Sequence, residues 1–320
     1  MLAEVIRRKW RQVLKDPLLY LKQFPVIIGQ LRHFGKMEKE YVSLGKNIIA
    51  HEGELLQLDE GYRPYIDYIK RNGGKPGVFN ASFADTAGMN VSPEYDGVAG
   101  LWYVMHNGRK LYYKQCRPDE VAGAYGLMSM EQHPLSPHRY MRDGDSFKDM
   151  IVFDCGAAEG NFTLDVIDEA KAAYLFEGDG SWGPALSATF GGYGDKVHVV
   201  QKFVGSKTED EYISLGEFIR ELISEGAVTP GQDTLFIKMD IEGCEEEALR
   251  DMEELFQSGL NMILDVCVYH KKNSEADIRV ILGDRFRISV NPGYMLFICE
   301  GSGMEFPYFR HGVLRAEKIA

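Results

Sequence analysis

The sequence predicts an α/β fold whose second half is a mostly parallel sheet wound on both faces. Three observations carry this. From residue 150, apolar runs of strand length alternate with helix-period segments at the spacing of a parallel sheet. The run Ile151-Val152-Phe153-Asp154-Cys155 suits a strand covered on both faces, and it feeds Gly156-Ala157-Ala158-Glu159-Gly160, a glycine-lined turn that opens a helix. The last two predicted strands, over 285–290 and 294–299, are separated only by Asn291-Pro292-Gly293. That link is too short for a parallel crossover, so the pair closes the sheet as an antiparallel hairpin.

In chain order, residues 1–46 form an N-terminal helical segment. Leu2, Val5, Ile6, Trp10, Val13 and Leu14 recur at three- and four-residue steps, with Arg7, Arg8, Lys9 and Arg11 on the polar side. Asp16-Pro17 then starts a second short helix through Gln23. A basic amphipathic helix can lie on a membrane surface, but Pro17 and Pro25 limit its length, which favours packing on its own domain or on a second copy in a homo-oligomer. Residues 47–149 read as an α+β accessory region. It holds a hairpin in which His106-Asn107-Gly108-Arg109 joins two apolar runs, a helix from Glu120 to about Met130, and an irregular loop from His133 to Tyr140. Residues 150–320 carry strands over 151–155, 173–177, 197–204, 235–239 and 262–268 and the closing hairpin. Ser214-Leu215-Gly216-Glu217 has capping-box spacing, and Ala248, Leu249, Met252, Leu255 and Phe256 make an apolar helical stripe ending at Gly259.

Composition narrows the function. The chain of 320 residues is 45% apolar and 12% aromatic, enough for a large core. Its net charge of −12 argues against nucleic acid as a partner, which needs clustered Lys and Arg. The charge is uneven: residues 1–46 carry a net +6, leaving −18 for the rest. Five cysteines without a Cys-x-x-Cys pair read as reduced core thiols of a cytoplasmic protein. No apolar run has transmembrane length, and no secretory signal is visible at the start.

In an open parallel sheet, ligands bind beyond the carboxyl ends of the strands. Those ends are acidic here. The first gives Asp154 and the turn through Gly156, Ala157, Glu159 and Gly160; the second gives Glu177-Gly178-Asp179; the fourth gives Asp240-Ile241-Glu242-Gly243; the fifth ends in Tyr269-His270. Gly156 and Gly160 stand four apart with no glycine at 158, so the dinucleotide fingerprint is missing. A carboxylate at Glu159 repels phosphate and suits a sulfonium, which points to S-adenosylmethionine. Glu177, 23 residues after Asp154, is placed to accept both ribose hydroxyls. Trp182 could stack on an adenine or belong to the core, and Phe203-Val204 would make the other apolar wall of a base pocket.

The segment Lys238-Met239-Asp240-Ile241-Glu242-Gly243-Cys244-Glu245 is the most specific pattern in the chain. Together with the first-strand turn, Glu177 and Val268-Tyr269-His270-Lys271, it resembles the FkbM-type methyltransferase family over about residues 150–300. That family typically shows Asp-x-Gly-Ala-Asn-x-Gly, Phe-Glu-Pro and Lys-x-Asp-x-Glu-Gly-x-Glu. The resemblance implies the seven-stranded, Rossmann-like sheet of class I methyltransferases with a terminal antiparallel hairpin. It also implies O-methyl transfer from S-adenosylmethionine to a hydroxyl of a sugar, glycan or polyketide-like small molecule. Four departures stand out: Ala158 in place of Asn, Glu159 in place of an apolar residue, Gly178 in place of proline, and Ser214-Leu215-Gly216 without the Asp that often follows that leucine.

An aliphatic hydroxyl needs a base as it attacks the methyl carbon. His270 is the first candidate because it titrates near neutral pH, and Asp240 is the second, with Glu242 beside them. These three could also gather around Mg²⁺, but nothing in their spacing demands a metal, so none is assigned as a ligand. His133, His138 and Arg139 are placed to meet the acceptor. The rival readings are a module that binds the cofactor without turnover and a nucleotide-dependent oxidoreductase. The missing glycine and the terminal hairpin count against the second.

Overall fold

A computed structural model describes residues 39–85, 91–297 and 304–319. The helices expected over 1–23, and Cys299, lie outside these residues. The chain divides into two compact units; within the described residues they comprise 39–81 with 304–308, and 82–297 with 309–319. Residues 82–149, expected as part of an accessory region, thus share a unit with the sheet.

The smaller unit is helical, with helices over 39–50, Glu52–Leu58 and Arg63–Arg71. Its apolar positions Leu44, Ile48, Leu55, Ile66 and Ile69 are buried, as the helical period requires. Lys70 and Glu52 join two of the helices at 2.6 Å.

In the larger unit, β1 (Glu94–Asp96), β2 (Leu101–His106) and β3 (Arg109–Tyr112) form a small antiparallel sheet. Asn107 and Gly108 link β2 to β3 with φ of 50° and 80°, the two positive angles of the tight turn that Asn-Gly favours. The hairpin is tied to the sheet domain by a Tyr112 N–H donated to Thr189 Oγ1 at 3.1 Å and by Arg109 against Asp168 at 2.8 Å. The helix expected near Glu120–Met130 spans Pro118–Glu131, with proline in its first turn and Glu120 closing a capping box.

The main sheet contains β4 (Ile151–Cys155), β5 (Ala172–Phe176), β6 (Val197–Val200), β9 (Thr234–Met239), β10 (Asn261–Cys267), β11 (Phe286–Val290) and β12 (Val313–Lys318). β7 (Phe203–Gly205) and β8 (Tyr212–Ser214) pair with each other outside it. The spatial order is β6-β5-β4-β9-β10-β12-β11, parallel from β6 to β10, with β12 antiparallel to both of its neighbours. This is the seven-stranded, Rossmann-like sheet of class I methyltransferases. β4, β9 and β10 are buried along nearly their whole length, and this is why they read as largely apolar runs, each interrupted by one buried charge, Asp154, Lys238 and Asp265. Ser214 caps the helix Leu215–Ser224 by accepting from Glu217 N–H, as its spacing predicts. The stripe from Ala248 to Phe256 is two short helices, Glu245–Asp251 and Glu253–Phe256, broken at Met252.

Two strand expectations are corrected. The third strand is not continuous over 197–204: β6 ends at Val200, and the chain bends so that Phe203 leaves the sheet for β7. The last strand is not 294–299. Among its described residues only Met295 makes a bridge, to Arg310, and β11 pairs instead with β12 after the excursion 291–312. β12 was hidden because Arg315, Glu317 and Lys318 break its apolar pattern; the buried Arg315 is met by Asp265 on β10 with two bonds of 2.7 Å. Among the described residues no helix is long and apolar enough to cross a membrane, and Cys116, Cys155, Cys244 and Cys267 are free thiols.

Candidate active site at the strand ends

The turn after β4 is built around a buried ion pair. Asp154 ends inside the sheet, accepting from Thr163 Oγ1 at 2.8 Å and facing Lys238 Nζ at 3.0 Å, while Lys238 also donates to the Gly156 carbonyl at 2.6 Å. Burial works against the Lys238 charge, but Asp154 and Asp240 hold its pKa above the ordinary value. Gly156 has φ of 79°, and a Cβ there would stand 1.9 Å from the Asp240 carbonyl, so this crossing of β4 and β9 admits no side chain.

The backbone N–H groups of the turn point inward. Those of Gly156 and Ala157 both donate to the Phe176 carbonyl, at 2.9 and 3.1 Å, and that of Ala158 donates to Glu177 Oε2 at 2.8 Å. That of Gly160 closes on the Ala157 carbonyl at 2.7 Å. The turn therefore offers no amide cradle to a phosphate; what it sets at the cleft is the Glu177 carboxylate, whose Oε1 accepts from Asp179 N–H at 2.8 Å.

A cleft of about 420 Å³ opens beside it, within the range of small-molecule sites. Gly156, Glu177, Gly178, Trp182, Phe203, Asp240 and Glu242, all singled out from the sequence, line it together. Gly178 is explained by Phe203: a Cβ at 178 would lie 2.2 Å from the Phe203 ring, so a proline there would displace the aromatic wall. Trp182 lines the cleft and packs against Tyr113 and under the Lys114 ammonium at 4.7 Å. Asp154, Ala157, Glu159 and Gly160 do not line the cleft. Partial burial, reinforced by Glu131, pushes the Glu159 carboxyl up to about 7 against the opposing pull of its own N–H and Lys238.

At the other end of the cleft, Asp240 is the hub of a polar cluster. Tyr140 Oη donates to its Oδ2 at 2.7 Å and Tyr269 Oη to its Oδ1 at 3.0 Å. The Tyr269 proton being given to Asp240, His138 Nε2–H donates to Tyr269 Oη at 3.1 Å and stands 3.5 Å from Asp240 Oδ2. Burial alone would raise the Asp240 pKa; His138, Lys238 and His270 outweigh it and hold the carboxyl well below its ordinary value. His270 is enclosed, with Nδ1 3.0 Å from Glu245 Oε1 and Nε2 3.4 Å from Asp240 Oδ1 and 3.5 Å from Glu242 Oε2. Burial disfavours its charge, yet the three carboxylates raise its pKa above the ordinary value. His270, almost wholly buried, does not line the cleft. Glu242, by contrast, has a side chain 82% exposed and a backbone held at φ of 54°.

Of the loop residues, His138 reaches this cluster; His133 instead stacks on Phe83 and Arg139 pairs with Asp143. Tyr140, Tyr269 as a donor to Asp240, and Glu245 beneath His270 were not assigned roles from the sequence. Tyr269 and Glu245 lie inside quoted motifs, whereas Tyr140 comes from 100 residues upstream of its partner and leaves no local signal.

No protein-family model matches this chain, and no curated protein matches it. Solved structures do resemble it. The methyltransferase FkbM from Methylobacillus flagellatus KT is 18% identical, covering 61% of this chain and 52% of its own, with a TM-score of 0.40. Magnesium protoporphyrin IX methyltransferase from Synechocystis PCC 6803, with S-adenosylmethionine bound, is 17% identical over 54% of this chain and 72% of its own, with a TM-score of 0.31. An rRNA methylase from Streptococcus thermophilus is 14% identical over 54% and 90%, with a TM-score of 0.32. The chain thus spans about half the length of the FkbM structure.

Proposed function

We propose that the protein is an S-adenosylmethionine-dependent O-methyltransferase acting on a hydroxyl of a sugar, glycan or polyketide-like small molecule. One observation carries the donor assignment: the cleft beyond β4 and β5 presents the Glu177, Asp240 and Glu242 carboxylates, while the turn spends its N–H groups on Phe176 and Glu177. Such a cleft repels a pyrophosphate and accepts an uncharged nucleoside joined to a cation. This also weighs against a nucleotide-dependent oxidoreductase.

The residues fit the donor. Glu177, with each oxygen already fixed by one N–H, has lone pairs left for two ribose hydroxyls. Phe203 and Trp182 supply apolar faces for a base. When bound, the donor supplies an electrophilic methyl group on a sulfonium. The protein's own task is to hold the acceptor oxygen in line and to take its proton. Asp240, held by two tyrosine hydroxyls, orients. Glu242, exposed at the cleft, is the group positioned to accept the proton.

Calorimetry with S-adenosylmethionine and with NAD tests the donor. Micromolar binding of the first, at least tenfold weaker in Glu177→Gln, is expected; NAD binding of equal strength would sink the assignment. Release of S-adenosylhomocysteine with hydroxylated acceptors, abolished in Glu242→Gln, tests the transfer.

A further inference from the structure

His270 is enclosed by the carboxylates of Asp240, Glu242 and Glu245. The ligand atoms of Asp240, Glu245 and His270 all lie within 4.8 Å of one another. Glu245 is fully buried; its Oε1 accepts from Ile241 N–H at 3.1 Å and faces His270, but its Oε2 is buried without a hydrogen-bond partner. An orphaned carboxylate oxygen in the interior is costly, and here it stands in a cluster that already holds two other carboxylates against one imidazole.

The distances are informative. Glu245 faces His270 Nδ1 at 3.0 Å, whereas the separations of 3.4 and 3.5 Å from Nε2 to Asp240 and to the neighbouring Glu242 exceed those of charge-assisted hydrogen bonds, about 2.7–2.9 Å. They approach the gap between adjacent ligands of one ion with metal–ligand bonds of about 2.1–2.4 Å. Tyr140 and Tyr269, both donating to Asp240, supply the outer hydrogen bonds that orient a ligating carboxylate. A second grouping, His138, Asp240 and Cys267, is less suited: the buried Cys267 thiol is not the thiolate a metal requires.

We infer that Asp240, Glu245 and His270 form a binding site for one divalent cation of the Mn²⁺/Mg²⁺ class, at the wall of the cleft beside Glu242. The mixture of one imidazole with carboxylate oxygens suits Mn²⁺ and is too poor in nitrogen and sulfur for a dedicated copper or zinc site. Beside Asp240 the ion would act as a Lewis acid on the acceptor hydroxyl. That role rests on the methyl-transfer reading; the binding itself does not, so the two fail separately.

Mn²⁺ titrated into the full chain after chelator treatment tests the site. The expected result is one saturable site per chain at micromolar Mn²⁺, followed by electron paramagnetic resonance, with a ¹⁴N modulation in the pulsed spectrum from a ligated imidazole. Glu245→Gln and Asp240→Asn should each weaken binding at least tenfold while keeping the circular dichroism of the wild type. Absence of saturable binding up to millimolar Mn²⁺, a pulsed spectrum without nitrogen, or folded variants that bind within twofold of wild type would each overturn the inference. Should both variants fail to fold, the titration and the nitrogen signal of the wild type decide alone.

Discussion

Two residues of the β4 turn that depart from the family pattern can be weighed individually. Ala158 holds φ of 46°, a left-handed conformation that costs an alanine about 1 kcal/mol and that asparagine tolerates. Ala158→Asn should therefore raise stability by about 0.5–1 kcal/mol, seen as a higher denaturation midpoint at unchanged slope; a lower midpoint would contradict the strain. Glu159 carries a larger cost. Its carboxyl moves from 4.5 in the unfolded chain to about 7 in the fold, so the folded state binds a proton that the unfolded state releases. Stability then falls as pH rises from about 4.5 to 7 and levels off above, a loss of about 2–3 kcal/mol by pH 8. Glu159→Gln should remove this slope: the variant should exceed wild type at pH 8 and match it near pH 4, by urea denaturation at both pH values. An equal difference at both would mean that Glu159 ionises freely in the fold. Neither effect was legible in the sequence, which showed the two departures but not the backbone angle or the neighbour Glu131 that give them energies.

Among elements, β12 does the least expected work. Arg315 on β12 pairs with Asp265 on β10, donates to the Tyr140 carbonyl at 2.9 Å and meets Asp145 at 2.5 Å. At the start of β12, Val313 N–H donates to the Pro137 carbonyl at 3.0 Å. One strand thus fixes the loop that brings His138 and Tyr140 onto Asp240. Asp265→Asn, which leaves a buried guanidinium short of charge, should cost about 3 kcal/mol. It should also lower methyl transfer more than donor binding, because the loop and not Glu177 is loosened; an unchanged midpoint would show that Asp145 and Tyr140 suffice to hold Arg315. The contrast with β4, β9 and β10 shows what sequence periodicity can deliver. Strands buried on both faces announce themselves by largely apolar runs, and the ends of β5 and β9 delivered Glu177 and Asp240 to one cleft, with His270 beyond β10 beside Asp240. A strand whose buried position is an arginine satisfied by a distant aspartate has no such signature, and neither does Tyr140, whose role exists only once β12 has placed its loop.

For the whole molecule, the charge balance predicts how ligands arrive. The protein carries −12, and the carboxylates of the cleft lie within that field. S-adenosylmethionine is a net cation, whereas S-adenosylhomocysteine, having lost the methyl group and the sulfonium charge, is net neutral. Long-range attraction should speed the first and leave the second almost untouched. Salt removes attraction beyond the Debye length, about 30 Å at 0.01 M and about 10 Å at 0.1 M, so the association rate of the donor should fall several-fold over this range. The product's rate should stay within about twofold, giving the donor a kinetic preference that weakens as salt rises. Stopped-flow measurements of both ligands across the series separate this from a general salt effect on the fold, which would slow the two alike. Parallel curves would mean that the cleft is screened from the protein's field, and that selection of donor over product rests on contacts at Glu177 and the Asp240 cluster alone.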